Sequence, residues 1–105
     1  MTDKIVVLCT CGSAEEASSI ARALVERRLA ACVSVAGGLR STYRWKGAVE
    51  EASEWLLLIK TERSRFEQIE AAVRALHSYE LPELIALPVV AGLEPYLSWV
   101  DEALQ

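Results

Sequence analysis

The stretch ACVSVAGGLRSTYRWKGAVEEASEWLLLIKT, Ala31 to Thr61, decides the fold. Two arms with strand character, Ala31–Trp45 and Ala48–Thr61, flank the turn pair Lys46-Gly47. Gly37-Gly38 divides the first arm, and a glycine pair inside a strand predicts a bulge or bend rather than a stop. Each arm runs about 14–15 residues, or roughly 50 Å of extended chain at about 3.3 Å per residue. That is a long hairpin for a small protein, and everything else must be arranged around it.

The flanking segments alternate between strand and helix signals. Lys4 to Thr10 is a β-branched apolar run too short for a helix, so it reads as a first strand ended by Gly12. Ser13-Ala14-Glu15-Glu16 reads as a capping box opening a helix to about Arg28, with Ala17, Ile20, Leu24 and Leu29 on or near one face. Ser64-Arg65-Phe66-Glu67 reads as a second capping box. Its helix runs to about His77 and is expected to bury Phe66, Ile69, Val73 and Leu76. Leu84 to Val90 reads as a fourth strand, with Pro88 placing it at an edge or a strand end. A last helix is expected from about Pro95 to Leu104, with Leu97, Val100 and Leu104 along one stripe.

The predicted order is β-α-β-β-α-β with an extra C-terminal helix. This is an α+β, ferredoxin-like sandwich of an antiparallel sheet and two helices, and residues 1–105 read as a single domain. Two features imply a partner. The runs Ile5–Leu8, Trp55–Ile59 and Leu84–Leu87 are apolar at every position, whereas an antiparallel sheet with one wet face alternates. The hairpin also outruns its neighbouring strands, and a two-stranded ribbon is marginal alone in water. Identical chains packing their open sheet faces together answer both, so a closed homo-oligomer is expected, a trimer if three faces surround an axis.

Composition narrows the function. The 105 residues are 52% hydrophobic and 25% charged, with a net charge of −4, which excludes a disordered chain. The 11 basic residues are scattered along an acidic chain, so no phosphate-binding face is expected and nucleic acid is not a partner. No apolar run reaches the ~18 residues of a membrane span, and Met1-Thr2-Asp3-Lys4 leads straight into a strand-like run. A cytoplasmic protein without a membrane partner is the expectation. An odd count of three cysteines argues for free thiols.

Cys9 and Cys11 stand two apart on a strand, so their side chains share a face and can chelate a soft ion such as Cu(I) or Zn. The alternative is that Cys9 packs as a small hydrophobe and Cys11 is a strand-end thiol. Cys32 reads as core. His77, the only histidine, ends a helix, where an imidazole either compensates the dipole or serves as a ligand. Tyr43, Trp45 and Lys46 cluster at the hairpin tip and read as contact residues. Glu50, Glu51 and Glu54 read as a solvated edge or a hard-cation site. No nucleophile elbow or phosphate loop is present, so no enzymatic activity is expected.

Several stretches together resemble the CutA divalent-cation-tolerance family. They are Val7-Leu8-Cys9-Thr10, Leu29-Ala30-Ala31-Cys32-Val33, Ser41-Thr42-Tyr43-Arg44-Trp45-Lys46-Gly47, Leu58-Ile59-Lys60-Thr61, Tyr79-Glu80-Leu81-Pro82-Glu83-Leu84-Ile85-Ala86-Leu87-Pro88 and Tyr96-Leu97-Ser98-Trp99. The resemblance spans nearly the whole chain in order. It implies a ferredoxin-like homotrimer similar in architecture to the PII signalling proteins, and a cytoplasmic role in tolerance of copper and other divalent metal ions. Some members are described with a copper site formed by the first-strand cysteine and two adjacent histidines before a Pro-Tyr pair. Carried over, the cysteine is Cys9 and the second histidine is His77, while Leu76 and Ser78 stand at the first histidine and the proline. Cys11 is the candidate replacement ligand. The resemblance leaves two further readings. One is a PII-like regulatory trimer holding a small anionic molecule in a cleft lined by Lys60, Tyr43 and Trp45. The other is a trimeric scaffold that binds no metal.

Overall fold

A computed structural model describes residues 2–105. The elements are β1 (Lys4–Cys11), α1 (Ala14–Glu26), β2 (Cys32–Trp45) and β3 (Ala48–Glu62), then a 3-10 turn over Arg63–Arg65, α2 (Phe66–Leu76), β4 (Ile85–Pro88) and α3 (Glu94–Ala103). The four strands form one antiparallel sheet in the order β2-β3-β1-β4, the ferredoxin-like arrangement.

The hairpin forms as the sequence predicts. β2 and β3 pair from Cys32↔Lys60 to Trp45↔Ala48, with the register shifting between Ala36 and Leu39, where Gly37-Gly38 form the bulge. Gly38 takes φ 82°, which a side chain would resist. At the tip, Lys46 and Gly47 have φ 50° and 84°, the two positive values of a type I′ turn that matches the twist of the strands. The molecule measures 45 × 25 × 23 Å, and its long axis matches the length of this ribbon.

The helices cover one face. Val7, Cys9, Leu57 and Ile59 point inward and meet Ile20, Leu24, Ile69 and Val73 in the main core. Ser13 caps α1 by accepting from the Glu16 amide at 3.1 Å. The Glu16 carboxylate does not complete the capping box. It accepts instead from the Ser78 amide and hydroxyl, which ties the start of α1 to the segment after α2.

α1 closes earlier than the sequence suggests. Arg28 adopts the left-handed conformation at φ 58°, and the Leu29 and Arg28 amides donate to the Leu24 and Val25 carbonyls. This is a Schellman closure, and it puts Leu29 into the core from outside the helix.

Other expectations need correction. The second capping box does not form: Ser64 sits inside the 3-10 turn and donates to Glu62, and α2 begins without a side-chain cap. Leu76 is 38% exposed rather than buried, because the chain leaves the helix at His77 (ψ 140°) and His77 takes the inward position. β4 is four residues long rather than seven, ends at Pro88 and is exposed throughout.

The open face of the sheet is apolar where β4 meets β1. Leu87 pairs with Val6 and Ile85 with Leu8, and the two β4 residues are 48% and 52% exposed. α3 covers only one end of this face. There Val100 and Leu104 pack on Ala31, and Asp101 pairs with Lys4 at 2.8 Å.

Candidate metal centre

Cys9 and Cys11 lie on the same face of β1, as the two-residue period of a strand requires. That face is the helix-covered one, and both residues are fully buried. The extended turn after α2 swings His77 beneath it, with its side chain 0% exposed. One ligand atom from each of Cys9, Cys11 and His77 lies within 4.8 Å of the other two. The structure therefore joins residues that stand 66 positions apart in sequence. Cys32, the third free thiol, pairs in register with Lys60 on the opposite face of the sheet and takes no part.

The hydrogen bonds of His77 settle its proton. The Tyr79 amide donates to Nδ1 at 3.0 Å, and a backbone amide can only donate. Nδ1 therefore offers a lone pair, and the ring proton sits on Nε2, which donates to the Thr10 carbonyl at 2.7 Å. With Nδ1 unprotonated, the Glu16 carboxylate 3.8 Å away forms no ion pair with it. Each ring nitrogen of His77 has a backbone partner.

The thiols are less committed. Among the described residues the partner of Cys9 outside the pair is the Thr10 carbonyl, at a long 3.9 Å. The two thiols are linked to each other. A hydrogen bond from Cys9 to Cys11 lowers the Cys11 pKa, and the same bond, with burial, pushes Cys9 well above the ordinary thiol range. Cys11 is therefore the first of the pair to become thiolate. Glu16 adds negative potential at both sulfurs and Glu83 at Cys9, which disfavours a second thiolate but favours a bound cation.

Tested against a metal ion, this donor set fits in part. Two thiols whose sulfurs lie within 4.8 Å of each other suit a soft ion. The imidazole does not fit in the arrangement seen, because neither nitrogen has a free lone pair. Leu76, at the position of the family's first histidine, is part-exposed and lies outside the core.

Beside the centre, Tyr79 joins distant elements. Its ring stands 4.7 Å from that of His77, and its hydroxyl donates to Glu54 at 2.8 Å. Glu54 is only 7% exposed, so the reading of a solvated edge fails there, whereas Glu51 does lie on the surface against Arg40. A Cβ on Gly12 would lie 3.0 Å from the Tyr79 hydroxyl oxygen, which explains the glycine after β1. Sequence reading missed the pairing of Tyr79 with Glu54, because 25 positions separate them and no local pattern marks it.

An open cleft of about 990 Å³ runs past Tyr79 to the hairpin. Tyr43 and Trp45 line it, and Lys60 does not. Lys60 lies along β3 toward α3 and donates to Ser34 at 2.6 Å. The charged residues on the cleft are Glu50, Glu54, Glu80 and Glu83, so its potential repels an anion.

Comparison with known proteins gives a consistent result. The profile of the family described as CutA1 divalent ion tolerance protein matches residues 5–103. A Thermus thermophilus protein named divalent-cation tolerance protein CutA is 52% identical over 97 residues, covering 92% of this chain and 94% of that protein. Mouse protein CutA is 50% identical over 93 residues, and the matched part is 52% of its length. Among solved structures, CutA from Xylella fastidiosa superposes with a TM-score of 0.96 at 41% identity, covering 99% of this chain and all of that one. The Thermus thermophilus structure gives 0.93 at 50% identity, covering 95% and 97%.

Proposed function

The chain belongs to the CutA1 divalent ion tolerance family, and from that premise we propose a cytoplasmic homotrimer that binds copper or other soft metal ions and contributes to the cell's response to them. The observation that carries the binding is the convergence of the Cys9 and Cys11 sulfurs within 4.8 Å of each other, with His77 beside them. Soft thiols select Cu(I) and Zn over the hard ions that prefer carboxylates. The nearby carboxylates supply the potential that draws a cation in. Nothing in this chemistry requires a turnover, and the role is binding rather than catalysis. The three free thiols suit a reducing compartment.

The trimer reading rests on the apolar open face. Ile85 and Leu87 on β4 are large, apolar and half-exposed beside Leu8 and Val6, and a contiguous exposed apolar patch marks an interaction surface. None of the described helices is long and apolar enough to cross a membrane, so a lipid bilayer does not receive them as a helical span.

A titration tests the binding. The reduced, purified oligomer is titrated calorimetrically with Cu(I) held in a competing chelator, and with Cu(II). Saturable uptake near one ion per chain is expected with Cu(I). No uptake beyond the chelator's competition removes metal binding from the reading.

A further inference from the structure

Starting from that metal-binding reading, we propose that Cys9 and Cys11 alone hold the ion, and that His77 is a positioning residue outside its coordination shell. The pair would then be a two-sulfur site selective for Cu(I) over Zn²⁺.

The hydrogen-bond geometry carries this. A ligand nitrogen must point a lone pair at the metal. The Nδ1 lone pair of His77 already accepts from Tyr79, and Nε2 carries the proton given to Thr10. For Nε2 to coordinate, its proton must go, and its lone pair would then face the Thr10 carbonyl oxygen 2.7 Å away. Moving that proton to Nδ1 would aim it at the Tyr79 N–H. Either route replaces a donor–acceptor contact by a like-to-like one inside a fully buried site. No such conflict faces Cys9, whose partner outside the pair, among the described residues, is one long contact to the Thr10 carbonyl.

The role left to His77 is structural and specific. Thr10 is the residue between the two cysteines, and the imidazole anchors its carbonyl. Holding that peptide holds Cys9 and Cys11 on one face at a fixed separation. The same ring anchors Tyr79, and through it Glu54.

Selectivity follows from ligand number. Structural Zn²⁺ sites take four ligands in a tetrahedron, and two sulfurs leave that shell half empty in a site closed to water. A monovalent soft d¹⁰ ion is satisfied by two thiolates. On binding, two S–H bonds are lost and two sulfur–metal bonds form. Two protons leave to the buffer, and no electron is transferred when the ion is supplied as Cu(I).

X-ray absorption at the copper edge of the Cu(I)-loaded wild-type oligomer is the primary test. A shell of sulfur alone is expected, without imidazole scattering. In chelator competition, Cys9→Ser or Cys11→Ser should weaken Cu(I) binding by about 100-fold or more, as for loss of a direct ligand. His77→Gln should weaken it by no more than about 10–100-fold, as for a residue that orients ligands, and leave the all-sulfur shell in place. Cys32→Ser should leave it unchanged, and Zn²⁺ should bind at least about 100-fold more weakly than Cu(I). Imidazole scattering in the wild type overturns the assignment even if His77→Gln fails to fold, and leaves metal binding itself standing. Loss of binding in Cys32→Ser also overturns it. A wild-type oligomer that takes up no Cu(I) removes the metal-binding reading and this assignment together.

Discussion

Glu54 and Tyr79 show at the residue scale how the centre is held together. A carboxylate at 7% exposure needs a donor, and among the described residues the Tyr79 hydroxyl is that donor. Tyr79→Phe keeps the ring against His77 but leaves that carboxylate without its donor. The expected loss is about 1–3 kcal/mol, read by chemical denaturation at neutral pH. The pH dependence gives a second readout. Burial, then the bond to Glu54, raises the Tyr79 phenol above its ordinary value of about 10. A raised folded-state pKa contributes stability that is complete below the unfolded value and is lost as the pH climbs toward the folded one. Lys4 acts with the same sign, its pKa raised by the bond to Asp101 and then by that to Asp3. Stability should therefore decline from about pH 10 upward, and Tyr79→Phe should flatten that decline. An unchanged alkaline limb in the variant would rule out the phenol as its source.

Closures matter most at the element scale. The end of α1 places Arg28 at φ 58°, where a side chain costs roughly 1–2 kcal/mol and glycine costs little. Part of that gain is returned through the freer unfolded chain. Arg28→Gly should stabilise the protein by roughly 0.5–1 kcal/mol in denaturant unfolding. The result is informative because Arg28 is exposed and has no recorded partner among the described residues. The hairpin tip uses the same physics, with Gly47 at φ 84°. These closures were only partly legible. Lys46-Gly47 announces its turn, whereas nothing in Glu26-Arg27-Arg28-Leu29 announces a left-handed arginine. The second capping box fails for a related reason. Glu62, just upstream, competes for the Ser64 hydroxyl and for Arg65, so the chain makes a 3-10 turn first.

The open sheet face governs behaviour at the scale of the whole molecule. α3 shields only the end near Ala31 and Lys4, and Ile85 and Leu87 on β4 stay half-exposed. If three such faces meet in the oligomer, a charge placed there is buried without a partner. Leu87→Glu should shift the sedimenting mass from three chains to one, while the circular dichroism of the fold persists. A variant that still sediments at the wild-type mass would place the contact elsewhere. Hairpin and apolar face are the surfaces that the proposed oligomer would cover.

The sequence by itself determined the faces of the strands and most of the faces of the helices. A residue in a strand takes its face from its position, so the spacing of Cys9 and Cys11 alone sets them on one face. The long hairpin, its bulge and turn, and the order of elements rest on the same short-range rules. Tertiary structure alone decided where the ring nitrogens of His77 would spend their hydrogen bonds. It also turned Leu76 outward, set Tyr79 against Glu54, and moved Lys60 away from Tyr43 and Trp45. Each of these depends on contacts between segments tens of residues apart. Whether an imidazole is a ligand or a brace depends on which backbone groups reach it, and only the packed chain brings those groups within hydrogen-bonding distance.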